Sequence, residues 1–340
     1  MRATSDETRN TAAVARILVT GITGFAGSHL AEHLLFRADE VHGLAHEEPP
    51  FPHLAGIADR VSIHRGNITS LEETKRALED SRAEAVIHLA GIAVPTLASA
   101  DPVAAVQVNV LGTATLLVAL SDRPNVRFVM ASSADVYGAP DRVPVTEDAP
   151  VQPENVYAAT KVAAEALARE AASRRQAPVV ILRPANQNGP RQHPGLAASA
   201  FAKQIAEAEA GLVEPIVRHG RLDAQRDFLD VRDMATAYAA ALSLAESGTY
   251  NVGSGRATAI SEILETLLSM ARIAIRAELD PSRVRGGEAT RLALDSTRFC
   301  QRTGWSPRIT LADSLRDTLA YWRAAIPNTV GAGGQRPPSL

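Results

Sequence analysis

From Arg16 to about Arg183, short β-branched and apolar runs alternate with longer stretches of helical periodicity. That rhythm is the mark of parallel strands joined by right-handed crossovers. The runs predict strands over Ile17–Thr20, Glu40–Leu44, Val61–Arg65, Ala85–Leu89, Arg127–Ala131 and Val179–Arg183, hence an α/β fold with a doubly wound parallel sheet. In such a sheet, ligands gather along the carboxyl edge of the strands. After Arg183 the pattern becomes irregular. Helices are predicted near Ala198–Ala210, Val231–Ala245, Ile260–Met270 and Leu311–Ala325, with short strands near Val213–Val217, Thr249–Val252 and Ile273–Ala277.

This pattern divides the chain into a dinucleotide-binding domain over 14–184, with returning segments near 223–252, and a smaller substrate lobe over 185–325. Residues 1–13 are polar and read as a lead-in, and 326–340, rich in Gly and Pro, as a flexible tail. Two helices break the amphipathic rule. One begins at Asp101-Pro102, good N-cap and first-turn chemistry, and stays apolar or small almost to Ala119; the other, Val156–Ala172, is Ala-rich. A helix apolar all round needs a neighbour on each side, which predicts a homodimer through paired helices.

Composition narrows the function classes. The chain has 340 residues, 46% hydrophobic and 21% charged, enough for a sizeable core. No apolar run approaches the roughly 20 residues that span a bilayer, and a net charge of -3 gives no overall attraction to nucleic acid or anionic lipid. An anionic ligand must then be held by local arginines. One cysteine, Cys300, excludes an intramolecular disulfide, no Cys/His cluster has metal-ligand spacing, and no signal segment opens the chain. A cytoplasmic enzyme is expected.

The segment Val19-Thr-Gly21-Ile-Thr-Gly24-Phe-Ala-Gly27 runs strand, glycine turn, helix. Gly21 permits the tight turn, Gly24 lets the backbone approach a pyrophosphate, and Gly27 lets the helix pack on the strand, with the helix N-terminus facing the anion. An acid at the end of the second strand would favour NAD, an arginine NADP. Ala45-His46 stands there instead, followed by Glu47 and Glu48, which would repel a phosphate if they pointed inward. The choice between NAD(H) and NADP(H) stays open, leaning slightly to NADP(H) on the missing acid at Ala45 and a contact from His46.

Ser132-Ser133-Ala-Asp135-Val-Tyr137-Gly138 follows a strand end, and Tyr157-Ala-Ala-Thr-Lys161 lies on the next helix. Four-residue spacing puts Tyr157 and Lys161 on one face. A neighbouring ammonium and the positive ring of a bound nicotinamide stabilise a phenolate and bring its proton transfer towards neutral pH, while Ser133 can polarise the same substrate oxygen.

From Ile17 to Trp322 the chain resembles the extended short-chain dehydrogenase/reductases that act on nucleotide sugars, the NAD-dependent epimerase/dehydratase family. Beyond the motifs above, the likeness rests on His88-Leu89-Ala90-Gly91, Asn109, Leu182-Arg183-Pro184-x-Asn186, Arg226-Asp227-Phe228-x-x-Val231, Tyr250-Asn251-Val252 and Thr303-Gly304-Trp305-x-Pro307. It implies Tyr157 as acid/base, Lys161 on the nicotinamide ribose, Ser133 on the reacting oxygen, Asn109 as support and Asp135 as an auxiliary. It places the cofactor against Gly21, Thr23, Gly24, Phe25, Ala26, Gly27, His46, Asn67, Ile68, Leu89, Ala90, Gly91, Asn109, Tyr157 and Lys161. Asn186, Lys203, Arg226, Arg285 and Glu288 fall on the substrate side, where paired guanidiniums would fork onto a diphosphate.

Within the family the chain is most similar to GDP-4-keto-6-deoxymannose reductases and the neighbouring GDP-mannose 4,6-dehydratases, through Phe201–Gly211, Glu214–Phe228 and Asp280-Pro281-x-Arg283-x-Arg285. It departs from the reductase pattern at Asn67, Ala185, Gln187-Asn188 and Gly286. Dehydration needs a second acid/base pair, and Ser133-Ala134-Asp135 offers at most one extra carboxylate where a dehydratase of this type presents a threonine and a glutamate. A 4-keto reductase acting on a GDP-linked sugar is therefore expected, with a dehydratase or 4-epimerase as the alternative. A non-catalytic nucleotide sensor is disfavoured by the intact Ser133/Tyr157/Lys161 set.

Overall fold

A computed structural model describes residues 15–284 and 291–331, with side chains as far as Ile326. Six strands come first: β1 (Arg16–Thr20), β2 (Glu40–Ala45), β3 (Val61–Arg65), β4 (Ala85–His88), β5 (Arg127–Ala131) and β6 (Val179–Pro184). Crossovers between them carry α1 (Phe25–Phe36), α2 (Leu71–Ser81), α3 (Pro95–Ala100), α4 (Pro102–Val106), α5 (Gly112–Ala119) and α6 (Val156–Ala172). The chain then enters β7 (Asn186–Asn188), α7 (Ala197–Glu209), β8 (Ile216–His219), β9 (Gln225–Asp230), α8 (Val231–Ala241), β10 (Gly248–Val252), β11 (Ala257–Ala259), α9 (Ile260–Ser269), β12 (Arg276–Leu279), β13 (Arg291–Leu292), α10 (Thr297–Thr303) and α11 (Leu311–Gly331).

The large sheet runs β3-β2-β1-β4-β5-β6-β10, all parallel, so the winding reverses between β1 and β4. Its central strands are buried on both faces, which is why they read as unbroken apolar runs rather than alternating ones. β7, β9, β11 and β13 form a second sheet, and β8 with β12 a third. Only Ala185 separates β6 from β7, so the chain steps from one sheet to the next in a single residue. The second cluster of apolar side chains, from Phe201 and Ile205 to Leu315 and Leu319, sits under α7, α9 and α11.

Four elements differ most from expectation. β8 and β12 lie two to three residues later than their apolar runs, because Pro215 has no N–H for a ladder and pairing begins where the Arg276 N–H reaches the Pro215 carbonyl at 3.0 Å. α8 ends at Ala241 rather than Ala245. α11 does not stop at Ala325 but continues through Pro327 to Gly331, so the chain's apparent tail begins as helix.

α4 and α5 form one helical run through a wider π-helical turn at Gln107–Leu111. The run Pro102–Ala119 is 18 residues long and, by composition alone, apolar enough to cross a membrane, contrary to the reading that no such run exists. Here it packs on α2 and α6 and leaves Val103, Val106, Leu111 and Val118 half to two-thirds exposed along its other face.

Candidate active site

The large sheet reverses its winding between the paired strands β1 and β4, the point off whose carboxyl ends the crevice of a doubly wound sheet binds ligands. Gly21 turns out of β1 at φ +73, and a Cβ there would lie 2.7 Å from the Ala90 nitrogen, just past β4. A Cβ on Gly27 would lie 2.1 Å from the Gly21 carbonyl oxygen. Gly24 caps α1 with no side chain, leaving Phe25 and Ala26 to open the helix with its N–H groups facing the crevice. The cradle is one a side chain would fill, and it fits a dinucleotide.

Beneath it runs a chain of polar groups that sequence reasoning missed. The Thr20 hydroxyl accepts from the Ala90 N–H and hydrogen-bonds His88 Nδ1 at 2.7 Å, while His88 Nε2 meets the Thr113 hydroxyl at 3.0 Å. Burial and the nearby Lys161 ammonium push His88 down to about 3, so it stays neutral. The signal was present in threonines at strand and helix ends, but threonine in a strand is ordinary β-propensity and says nothing until its partners are known.

Asn109 sits in the π-helical turn. Its Oδ1 accepts from the Ile92 N–H at 2.8 Å, and its Nδ2 donates to the Ile92 carbonyl and the Thr160 hydroxyl. A Cβ on Gly91 would approach Asn109 Oδ1 at 2.9 Å and Lys161 Nζ at 3.5 Å. Asn109 thereby clips the loop after β4 to the helix that carries Tyr157 and Lys161. The wider turn is what aims it inward, a local geometry with no sequence signature.

On the opposite rim, His46 is 73% exposed and Asn67 spends its side-chain oxygen on the Thr69 N–H and hydroxyl. The Ile68 side chain is buried against Gly112. Leu89 donates its N–H to the Thr20 carbonyl, continuing β4 into the loop.

Tyr157 and Lys161 occupy one face of α6, with Lys161 Nζ 5.8 Å from the Tyr157 ring centre. Ser133, extended at the end of β5, caps the turn after it by accepting the Asp135 N–H at 3.1 Å and shares a hydrogen bond with the Tyr157 hydroxyl. Lys161 Nζ donates to the Ala131 carbonyl at 2.9 Å. Burial pulls its ammonium down to about 8, with Glu165 opposing. Behind it Glu165 is wholly buried, accepts from Ser132 and Arg183, and is held below its usual range by Arg183 despite burial. Arg183 also donates to Tyr137, whose hydroxyl bonds Asn251.

Within the protein alone, burial first, then the Asp135 carboxylate, push the Tyr157 phenol above the usual value, and the Ser133 hydrogen bond acts the other way. Burial lowers the Lys161 ammonium as well, 5.8 Å from the ring centre.

The substrate side gathers less tightly. Phe228 pairs with Asn186 across β9 and β7, and Arg226 lies two residues upstream on β9, its Nη1 donating to the Gln225 carbonyl. Asp227 between them is buried and accepts from the N–H groups of Ser254, Gly255 and Leu294, which fixes that strand. An open cleft of about 510 Å³ beside the loop after Gly138 brings Arg142 and Arg291 together with Asp141. Neither arginine was singled out from the sequence. The Lys203 ammonium pairs with Glu207 at 2.5 Å and lies over Trp322 on the seam between α7 and α11. Arg285 and Glu288 lie outside the described residues.

Comparison with known proteins agrees with this geometry. Residues 18–318 match the GDP-mannose 4,6 dehydratase family. The GDP-6-deoxy-D-mannose reductase of Pseudomonas aeruginosa is 36% identical over 92% of this chain and 98% of its own length. A UDP-glucose 4-epimerase of Azospirillum brasilense is 30% identical over 96% and 97%. Among solved structures, RMD from Pseudomonas aeruginosa complexed with NADPH superposes with a TM-score of 0.79 at 33% identity, covering 92% of this chain and 100% of that one. The Thermus thermophilus UDP-glucose 4-epimerase complexed with NAD gives 0.81 at 30% identity, covering 91% and 99%. With a glycine cradle at the sheet reversal and a Ser–Tyr–Lys group beside it, this chain belongs to the GDP-mannose 4,6 dehydratase family of extended short-chain dehydrogenase/reductases.

Proposed function

We propose that this chain is a nicotinamide-dependent nucleotide-sugar oxidoreductase that reduces the 4-keto group of GDP-4-keto-6-deoxy-D-mannose to a GDP-rhamnose-type product. One observation carries the reading: a buried Tyr157 hydroxyl, kept protonated, is hydrogen-bonded by Ser133 beside the glycine cradle. Ketone reduction requires an acid that holds its proton until negative charge develops on the carbonyl oxygen. Tyr157 is that donor. Ser133 donates to the same oxygen and stabilises the charge as it forms. Lys161 holds the ribose of the dinucleotide and supplies positive potential near the phenol, and Asn109 fixes the loop that bounds the cavity. NAD(P)H, when bound, supplies the hydride.

Gly21, Gly24 and Gly27 with the N–H groups of Phe25 and Ala26 cradle the pyrophosphate, while Asn186, Arg226 and Arg285 take the substrate's diphosphate and nucleoside. The cofactor domain then comprises 14–184 with the segment returning near 223–252, and 185–325 forms most of the substrate lobe. A GDP-linked sugar is favoured by the similarity to the Pseudomonas reductase. A cytoplasmic homodimer, paired through α4–α5 and α6, completes the reading. Similarity to UDP-glucose 4-epimerases supports one alternative, a 4-epimerase or dehydratase that recycles its cofactor on the same residues. Mixing the protein with reduced nicotinamide cofactor and GDP-4-keto-6-deoxy-D-mannose separates the two. A reductase consumes cofactor mole for mole with sugar; no loss of nicotinamide absorbance with either NADH or NADPH would remove the reductase reading.

A further inference from the structure

We propose that the cofactor selected by this chain is NAD(H) rather than NADP(H), and that Glu47 makes the selection. The inference rests on the nicotinamide-dependent reading above and deepens it. In a doubly wound sheet the adenosine ribose lies off the carboxyl end of the strand after the glycine-turn helix, and an acid about 20 residues on accepts its hydroxyls. That strand is β2, ending at Ala45, and Glu47 lies about 20 residues beyond Gly27.

The sequence left one condition open, whether the acids after β2 turn inward. Glu47 does: the Thr23 hydroxyl, inside the glycine turn, reaches its two carboxylate oxygens at 3.2 and 3.3 Å. The carboxylate thus bridges the two loops that flank the ribose position, where it offers acceptors to a pair of hydroxyls and like charge to a phosphate.

The cations of this rim are otherwise occupied. Arg65, which faces Ala45 across the strands, gives its guanidinium to the Glu48 carboxylate and the His46 carbonyl. His46 projects into solvent with its Nδ1 3.6 Å from Glu47. His53 Nδ1 hydrogen-bonds the Thr23 carbonyl at 3.2 Å, and burial holds it below its ordinary value, hence neutral at pH 7. Arg191 is held by Glu32 and the Ser28 hydroxyl. Glu47 and Glu48 against Arg65 leave the rim net negative, facing a group that carries roughly -1.5 to -2 in NADPH.

Calorimetric titration of the purified full chain with NADH and with NADPH tests the proposal. The unaltered protein is expected to bind NADH at least tenfold more tightly, and Glu47→Gln to reduce that ratio by tenfold or more, strengthening NADPH and weakening NADH. Tighter binding of NADPH by the unaltered protein, or a ratio that Glu47→Gln leaves unmoved, overturns it. Should the variant fail to fold, the salt dependence of the unaltered protein decides: screening is expected to narrow the ratio, because it relieves the repulsion felt by the phosphate. A ratio that widens with salt counts against Glu47. Failure to bind either cofactor would instead remove the nicotinamide reading on which the proposal stands.

Discussion

Lys161 is an expensive residue for this fold to keep. The residue is 7% exposed, and its ammonium is pulled from the ordinary lysine value of 10.5 to about 8. Because the folded value lies below the unfolded one, the burial penalty is full below pH 8 and fades as pH rises towards 10.5. Lys161→Met is therefore expected to raise unfolding free energy near neutral pH by up to about 3 kcal/mol while abolishing turnover. Denaturant titrations at pH 7 and pH 10 check this, the gain shrinking at the higher pH; a variant less stable at pH 7 would show that the hydrogen bond to Ala131 outweighs desolvation. Tyr157→Phe removes the donor hydroxyl alone and should cost on the order of a hundredfold or more in kcat, with cofactor and nucleotide affinity nearly unchanged. Near-normal turnover would place the proton elsewhere.

At the scale of elements, α6 does several jobs at once. Its inner face carries Tyr157, Thr160, Lys161 and Glu165, and the last of these locks the helix to β5 and β6 through Ser132 and Arg183. The neighbouring α4–α5 run leaves Val106 and Leu111 about half exposed, a cost that pairing with a second copy would offset. Leu111→Arg is expected to convert a dimer into a monomer by sedimentation at micromolar concentration, with the far-ultraviolet spectrum unchanged. A protein already monomeric before substitution would discard the paired-helix arrangement. The spacing of Tyr157 and Lys161 was readable because a helix turns every 3.6 residues. The support from Thr160 and the π-helical turn was not, since both depend on which loop the fold brings alongside.

Across the whole molecule, the six leading strands were legible almost to the residue, the inner ones because a parallel sheet covered on both faces demands apolar runs and the edge strand β3, Val-Ser-Ile-His-Arg, through its β-branched residues. The substrate lobe was less so. Its β8 and β12 are short, and β12 is largely exposed, with Leu279 60% accessible, so hydrophobic spacing locates them only to within a few residues. The glycine cradle followed from spacing, but the inward turn of Glu47 and the seating of Lys203 over Trp322 did not, because side-chain direction in loops and on helix seams is set by tertiary neighbours.

The lone Ala185 between β6 and β7 has a practical outcome. With so short a tether, and with Asp227 stitching β9 to the turn after β10, the two sheets cannot swing apart like the leaves of a door. On the substrate side proposed above, room for a bulkier sugar would then have to come from exchanging side chains at Asn186 and Gln187 and in the Ala139–Val143 loop, so directed evolution towards new substrates should accumulate its changes there and spare the junction.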